Sequence, residues 1–150
     1  LGTGAGVVLV EAYDTGAPSA ARLVNVSARN RVGTGDDILI AGFNISSATG
    51  GSKPLLIRAV GPGLAALGVS GTLADPKLEI YDSKGVKVFE NDNWNPTLAP
   101  VFAGVGAFRL PDASRDAALV ATLPAGSYTA QVSGVGGLTG DAIVEVYELP

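Results

Sequence analysis

Asp82, Asn91, Asp92, Asn93 and Asn95 are the residues of this sequence best suited to chemistry. Carboxylate and carboxamide oxygens spaced along a loop are what a calcium ion takes, so Asp82, Asn91, Asp92 and Asn93 are the candidate ligands. Calcium is the only cofactor the residues suggest. The competing reading is that Asp and Asn build turns by bonding their own backbone. No EF-hand register is present, with neither a Gly at the sixth loop position nor a Glu at the twelfth, which favours the turn. Trp94, the single Trp, follows in the same polar loop. Exposed, its ring is a platform on which a sugar or a partner stacks. A lone Trp in a β-sandwich more often plugs one end of the core, and the plug is the favoured reading.

Other chemistry finds less support. Asp36 and Asp37, with Asp112 and Asp116, could supply paired carboxylates for glycoside hydrolysis, but no pattern brings two of them into one cleft. The sequence has no Cys and no His, which removes thiolate nucleophiles, imidazole bases and zinc-thiolate sites. Gly61-Pro62-Gly63 and Gly33-Thr34-Gly35 lack the Gly-Lys-Ser/Thr of a phosphate loop. No Ser-x-x-Lys occurs, and Lys53, Lys77, Lys84 and Lys87 read as solvating. The expectation is a protein that is not an enzyme. Its net charge of -4 and ten scattered cationic residues provide no basic face for nucleic acid. No apolar run approaches the length of a membrane-spanning helix.

The elements that must position these residues are strands. Short runs of Val, Leu, Ile and Ala are broken by Gly and Pro. Strands are expected at 7–13, 22–28, 37–45, 54–60, 77–82, 86–90, 117–123, 127–133 and 141–147, with a short edge strand at 107–110. The nearly continuous apolar run 37–45 and the run 54–60 read as central strands covered on both faces. Residues 61–68 read as one helical turn crossing between sheets, Asp82-Ser83-Lys84-Gly85 as a hairpin turn, and 97–106 as irregular. The fold class is all-β: a two-sheet β-sandwich or jelly-roll-like domain of about nine or ten strands.

The first strand is a second copy of the last. Leu9-Val10-Glu11-Ala12-Tyr13-Asp14 aligns with Ile143-Val144-Glu145-Val146-Tyr147-Glu148 at a constant offset of 134 positions, from 9 to 143. The same offset carries Gly2 onto Gly136 and Gly6 onto Gly140. A period of that length suits one whole domain. Residues 1–16 therefore read as a strand and linker duplicating the closing strand, and 17–150 as a single sandwich. Val8, Val10, Ala12 and Tyr13 form the candidate assembly strand, and Ile143, Val144, Glu145 and Tyr147 the closing strand it duplicates. The expected partners are copies of the chain itself, through strand addition or as tandem repeats. With no Met and a Gly-rich lead, the sequence reads as a processed product or a piece of a longer chain, extracellular or at the cell surface.

The stretch Leu78 to Val146 resembles the pre-peptidase C-terminal domain and its relatives in secreted bacterial proteins. The resemblance lies in Leu78-Glu79-Ile80-Tyr81-Asp82-Ser83-Lys84-Gly85, Asn91-Asp92-Asn93, Leu123-Pro124-Ala125-Gly126-Ser127-Tyr128 and Thr139-Gly140-Asp141. Residues 55–67, with Arg58-Ala59-Val60-Gly61-Pro62, look like repeats of very large surface proteins of environmental bacteria. The resemblance implies a non-catalytic jelly-roll module, in some relatives binding calcium or a polymeric substrate. Asn91 to Asn93 match the calcium-associated loop, where Asn91 and Asn93 bring no charge. The expected function is a structural unit of an extracellular fibre or surface stalk, assembling head to tail. The alternative is an accessory binding module that holds a secreted hydrolase on polysaccharide or protein fibres, with a platform around Trp94, Tyr81 and Phe89.

Overall fold

Among the described residues, eight strands form where β-branched and apolar runs lie between Gly, Pro and Asx breakers. The computed structural model describes residues 10–13, 23–46 and 51–150. The strands are β1 (Asn25–Val32), β2 (Leu39–Ile45), β3 (Ser52–Val60), β4 (Pro76–Asp82), β5 (Lys87–Asn91), β6 (Ala117–Pro124), β7 (Gly126–Gly134) and β8 (Gly140–Glu148). One sheet has the order β1-β8-β3-β6 and the other β2-β7-β4-β5. All neighbours are antiparallel, giving the expected all-β sandwich.

The β4–β5 hairpin follows its sequence closely. Leu78 and Ile80 point into the core while Lys77 and Glu79 point out, and Asp82 accepts the Gly85 amide across the turn at 3.0 Å. Gly85 adopts a φ of 74°, a left-handed conformation that glycine reaches without a Cβ penalty.

Leu39, Leu55, Ile57, Leu78, Ile80, Val132 and Val144 fill the space between the sheets. A second apolar cluster lies on the outer face of the first sheet. There Leu56, Val60 and Tyr147 are covered by Trp94, Phe102 and Leu110. This cover is the segment between β5 and β6, expected to be irregular. It contains a 3-10 turn at Pro96–Leu98 and a short helix, α2 (Ala99–Gly104). Asn95 caps the turn by accepting the Thr97 amide at 3.0 Å, and Pro occupies the first positions of both pieces, where its missing N–H costs nothing. A four-residue helix, α1 (Pro62–Ala65), carries the chain from β3 towards the other sheet.

Three expectations are corrected. Eight strands are present among the described residues, not nine or ten: Ala107–Leu110 has no strand partner, and Val10–Tyr13 forms no strand, while Val8 lies outside the described residues. β2 is an edge strand, not a central one. Its run looks continuous, but Ile40, Gly42 and Asn44 all face outward, and Ile40 is 51% exposed. β1 begins later than expected and continues through Arg29, Asn30 and Arg31, because its ladder with β8 runs to Val32 opposite Gly140.

β1 begins beside the place where β8 ends. Asn25 is the cross-strand partner of Tyr147, so the chain enters and leaves the sandwich at the same end. An open cleft of about 410 Å³ lies there, between Val24–Asn25, Tyr147–Pro150 and the end of α2.

Candidate functional site

The closing strand β8 is held from both edges and on both faces. Its inward residues Ala142, Val144 and Val146 enter the core between the sheets. Its outward residues Ile143, Glu145 and Tyr147 lie under the segment that covers the first sheet. Directly opposite Glu145 on β3 stands Arg58, whose side chain is 0% exposed. A buried guanidinium is costly unless its charge is matched and its donors are used. Here Nε donates to Glu145 Oε2 at 2.8 Å, Nη2 donates to the same oxygen, and Nη1 donates to the Phe108 carbonyl at 2.7 Å. The guanidinium carbon also lies 4.8 Å from the Phe102 ring centre and 4.4 Å from that of Phe108, within cation–π range. Tyr147 completes the group by donating its hydroxyl proton to Glu145 Oε1 at 2.9 Å. Burial first, and then this bond to a carboxylate, push the Tyr147 phenol up to about 12.

The start of β8 is clasped by a loop. Leu73 N donates to Asp141 O at 2.8 Å, and Asp141 N to Gly71 O at 2.9 Å. The loop comes so close that a Cβ on Gly140 would stand 2.5 Å from Leu73 N. Just upstream, Gly136 turns the chain with a φ of 65°. At the other end Glu148 N donates to Val24 O at 2.8 Å, and Leu149 N to Pro54 O at 2.9 Å.

These contacts explain which residues recur at the N-terminus. The five identities between the two copies fall on Gly136, Gly140, Val144, Glu145 and Tyr147. These are the left-handed turn, the close approach, a core-facing valine and the two partners of the Arg58 group. The residues that differ include Asp141 and Ile143, which are only partly buried. Three departures exist: the fully buried Ala142 aligns with Val8, the buried core residue Val146 aligns with Ala12, and Gly137, also left-handed, aligns with Thr3. Val10 and Tyr13 are 86% and 77% exposed, and Glu11 and Ala12 are exposed as well. Tyr13 nonetheless donates to Glu11 Oε1 at 2.9 Å, the same bond that Tyr147 makes to Glu145. Gly2, Gly6 and Val8 lie outside the described residues.

No protein-family model matches the sequence, and no curated protein matches it. The likeness of Leu78 to Val146 to the pre-peptidase C-terminal domain rests on its motifs alone.

The other sequence candidates do not converge. Asp82 sits in the hairpin turn, where its Oδ1 accepts the amides of Lys84 and Val86 at 2.8 and 2.9 Å. Asn91 pairs with Leu78 at the far end of the same hairpin, about 13 Å away at the rise of a strand. Its carboxamide accepts the Ala118 amide at 3.0 Å and donates to Asn93 O at 3.0 Å, while Asp92 and Asn93 are exposed. The four proposed calcium ligands are therefore two separate turns, because an entire strand divides them. Trp94 is 4% exposed, packs on Phe102 at 5.3 Å and donates its indole proton to Ser114 Oγ at 3.1 Å. As a platform it is corrected, since its ring lies under the cover of the first sheet. Asp116 is fully buried and accepts the Gly61 and Gly63 amides at 2.8 and 3.1 Å. Arg58 and its aromatic surround were missed by sequence reasoning. The available signal was one Arg inside the apolar run Leu55-Leu56-Ile57-Arg58-Ala59-Val60.

Proposed function

We propose that the chain is a structural unit of an extracellular fibre or cell-surface stalk, non-catalytic, and joined head to tail to copies of itself through the strand its N-terminus duplicates. One observation supports the reading: each of the five residues repeated at the N-terminus lies at a position where the closing strand makes a core, turn or Arg58 contact in its seat. A segment so equipped is used as a closing strand, either of a preceding repeat or of a separate copy. Contacts of this head-to-tail kind propagate instead of closing on themselves. The cleft at the end where the chain enters and leaves offers a neighbouring unit or its linker a surface beside the junction.

Electron microscopy of the purified polypeptide, with its intact mass measured alongside, tests the reading. Filaments built from a single-unit mass mean noncovalent strand exchange, and filaments of a mass many units long mean tandem repeats. Discrete monomers would overturn it and favour the accessory module.

A further inference from the structure

The head-to-tail reading leaves open where the N-terminal strand sits, and the Arg58 group answers that. A groove between β1 and β3 with its strand removed would expose one buried cation, Arg58, with aromatic rings around it. Such a groove selects a strand that brings a carboxylate opposite the guanidinium and a hydroxyl two residues on to hold that carboxylate in place. Residues 7–13 carry this pair as Glu11 and Tyr13, already bonded to each other and exposed. They follow Gly2 and Gly6, which match the left-handed turn at Gly136 and the close approach of Leu73 to Gly140. The edge of β1 away from β8, which has no strand partner among the described residues, is the rival seat, and backbone pairing alone would serve there. The loop that demands glycine, however, bonds to β8 on the edge away from β1.

We infer that the seat of residues 7–13 is the β1–β3 groove of a second copy of this unit, with Glu11 and Tyr13 engaging that copy's Arg58. The inference rests on the head-to-tail reading and adds its recognition chemistry. Each chain then carries two closing strands of one specification, and the groove discriminates by charge.

Weakening the chain's own strand tests this. In the 150-residue chain carrying Glu145→Gln, the isosteric amide leaves Arg58 without a carboxylate partner while Glu11 remains. Sedimentation velocity over a range of concentrations is expected to show association well beyond that of the wild type. Adding Glu11→Gln should weaken the association at least about tenfold, the loss of one charged partner. Association that ignores Glu11 would overturn the inference. So would a monomeric Glu145→Gln whose stability depends on Glu11, since the segment would then close its own sandwich. Glu145→Ala removes the partner altogether. If that chain is unfolded when dilute, a β-sheet circular-dichroism signal gained on concentration, and only with Glu11 present, supports the inference; a chain unfolded at every concentration overturns it. Wild-type filaments that survive Glu11→Gln would leave the fibre reading standing and remove this one. Discrete wild-type monomers, with Glu11-dependent association of Glu145→Gln, would do the reverse.

Discussion

Arg58 and Glu145 face each other across β3 and β8, and both are buried. Removing one member of such a pair leaves an uncompensated charge in a low-dielectric site. Glu145→Ala, measured by urea denaturation at low protein concentration, should lose about 3–5 kcal/mol. The double replacement Arg58→Met with Glu145→Met should lose less than Glu145→Ala alone, because no charge is stranded. Equal losses would mean that packing, not charge, dominates the site.

Tyr147 sets an alkaline limit. Its phenol has an ordinary value of 10.0 and is raised to about 12 in the fold. The folded state therefore holds the proton more tightly than the unfolded state. The resulting stability is fully present below about pH 10 and is lost as pH rises towards 12. Tyr147→Phe should flatten stability over this window, and a tyrosinate absorbance titration should lose a group titrating at about 12. An unchanged alkaline profile in the variant would assign the limit to other residues.

Asp116 anchors the turn after β3. Its carboxylate takes the amides of Gly61 and Gly63 and the Ser114 hydroxyl, the last at 2.6 Å. Asp116→Ala leaves both amides buried without this acceptor, at a cost of about 1–3 kcal/mol each. Hydrogen exchange at Gly61 and Gly63 should accelerate in this variant far more than in Ser114→Ala. Unaltered protection would contradict the assignment.

Trp94 separates the fibre from the accessory module. Buried against Phe102, it should fluoresce as an indole in an apolar setting and resist aqueous quenchers. Trp94→Ala should cost about 3–5 kcal/mol. Trp94→Phe should retain the fold, and any retention on insoluble glycans should be unaffected by it. Retention lost in a folded Trp94→Phe would return the ring to a binding role.

The sequence repeat of 9–14 at 143–148 was legible because identity at a fixed offset needs no three-dimensional information. The β4–β5 hairpin was legible for a local reason, since Asp82 and Gly85 specify its turn. What escaped depends on neighbours distant in sequence. Ile40 looks like a core residue until β2 is placed at the edge of its sheet. Asp82 and Asn91 look like one ligand set until a strand is drawn between them. Arg58 finds Glu145, Phe102 and Phe108 far along the chain, and its own segment indicates only that some partner must exist. The cover containing α2 was hidden by Pro96 and Pro100, which suggest a loop but sit at the starts of helical turns.

The pairing of Asn25 with Tyr147 places both chain connections of the sandwich at one end and on adjacent strands. In a tandem string, residues 14–24 would span at most roughly 40 Å between one unit and the next, so each sandwich would hang sideways from the line of the chain. Tension along that line would reach a unit at β1 and β8 and peel them apart. Antiparallel hydrogen bonds run across the strands, so such a load would break them in succession instead of all together. A stalk built this way would yield one sandwich at a time at modest force, lengthening under strain and reclosing when slack, as an extensible tether does.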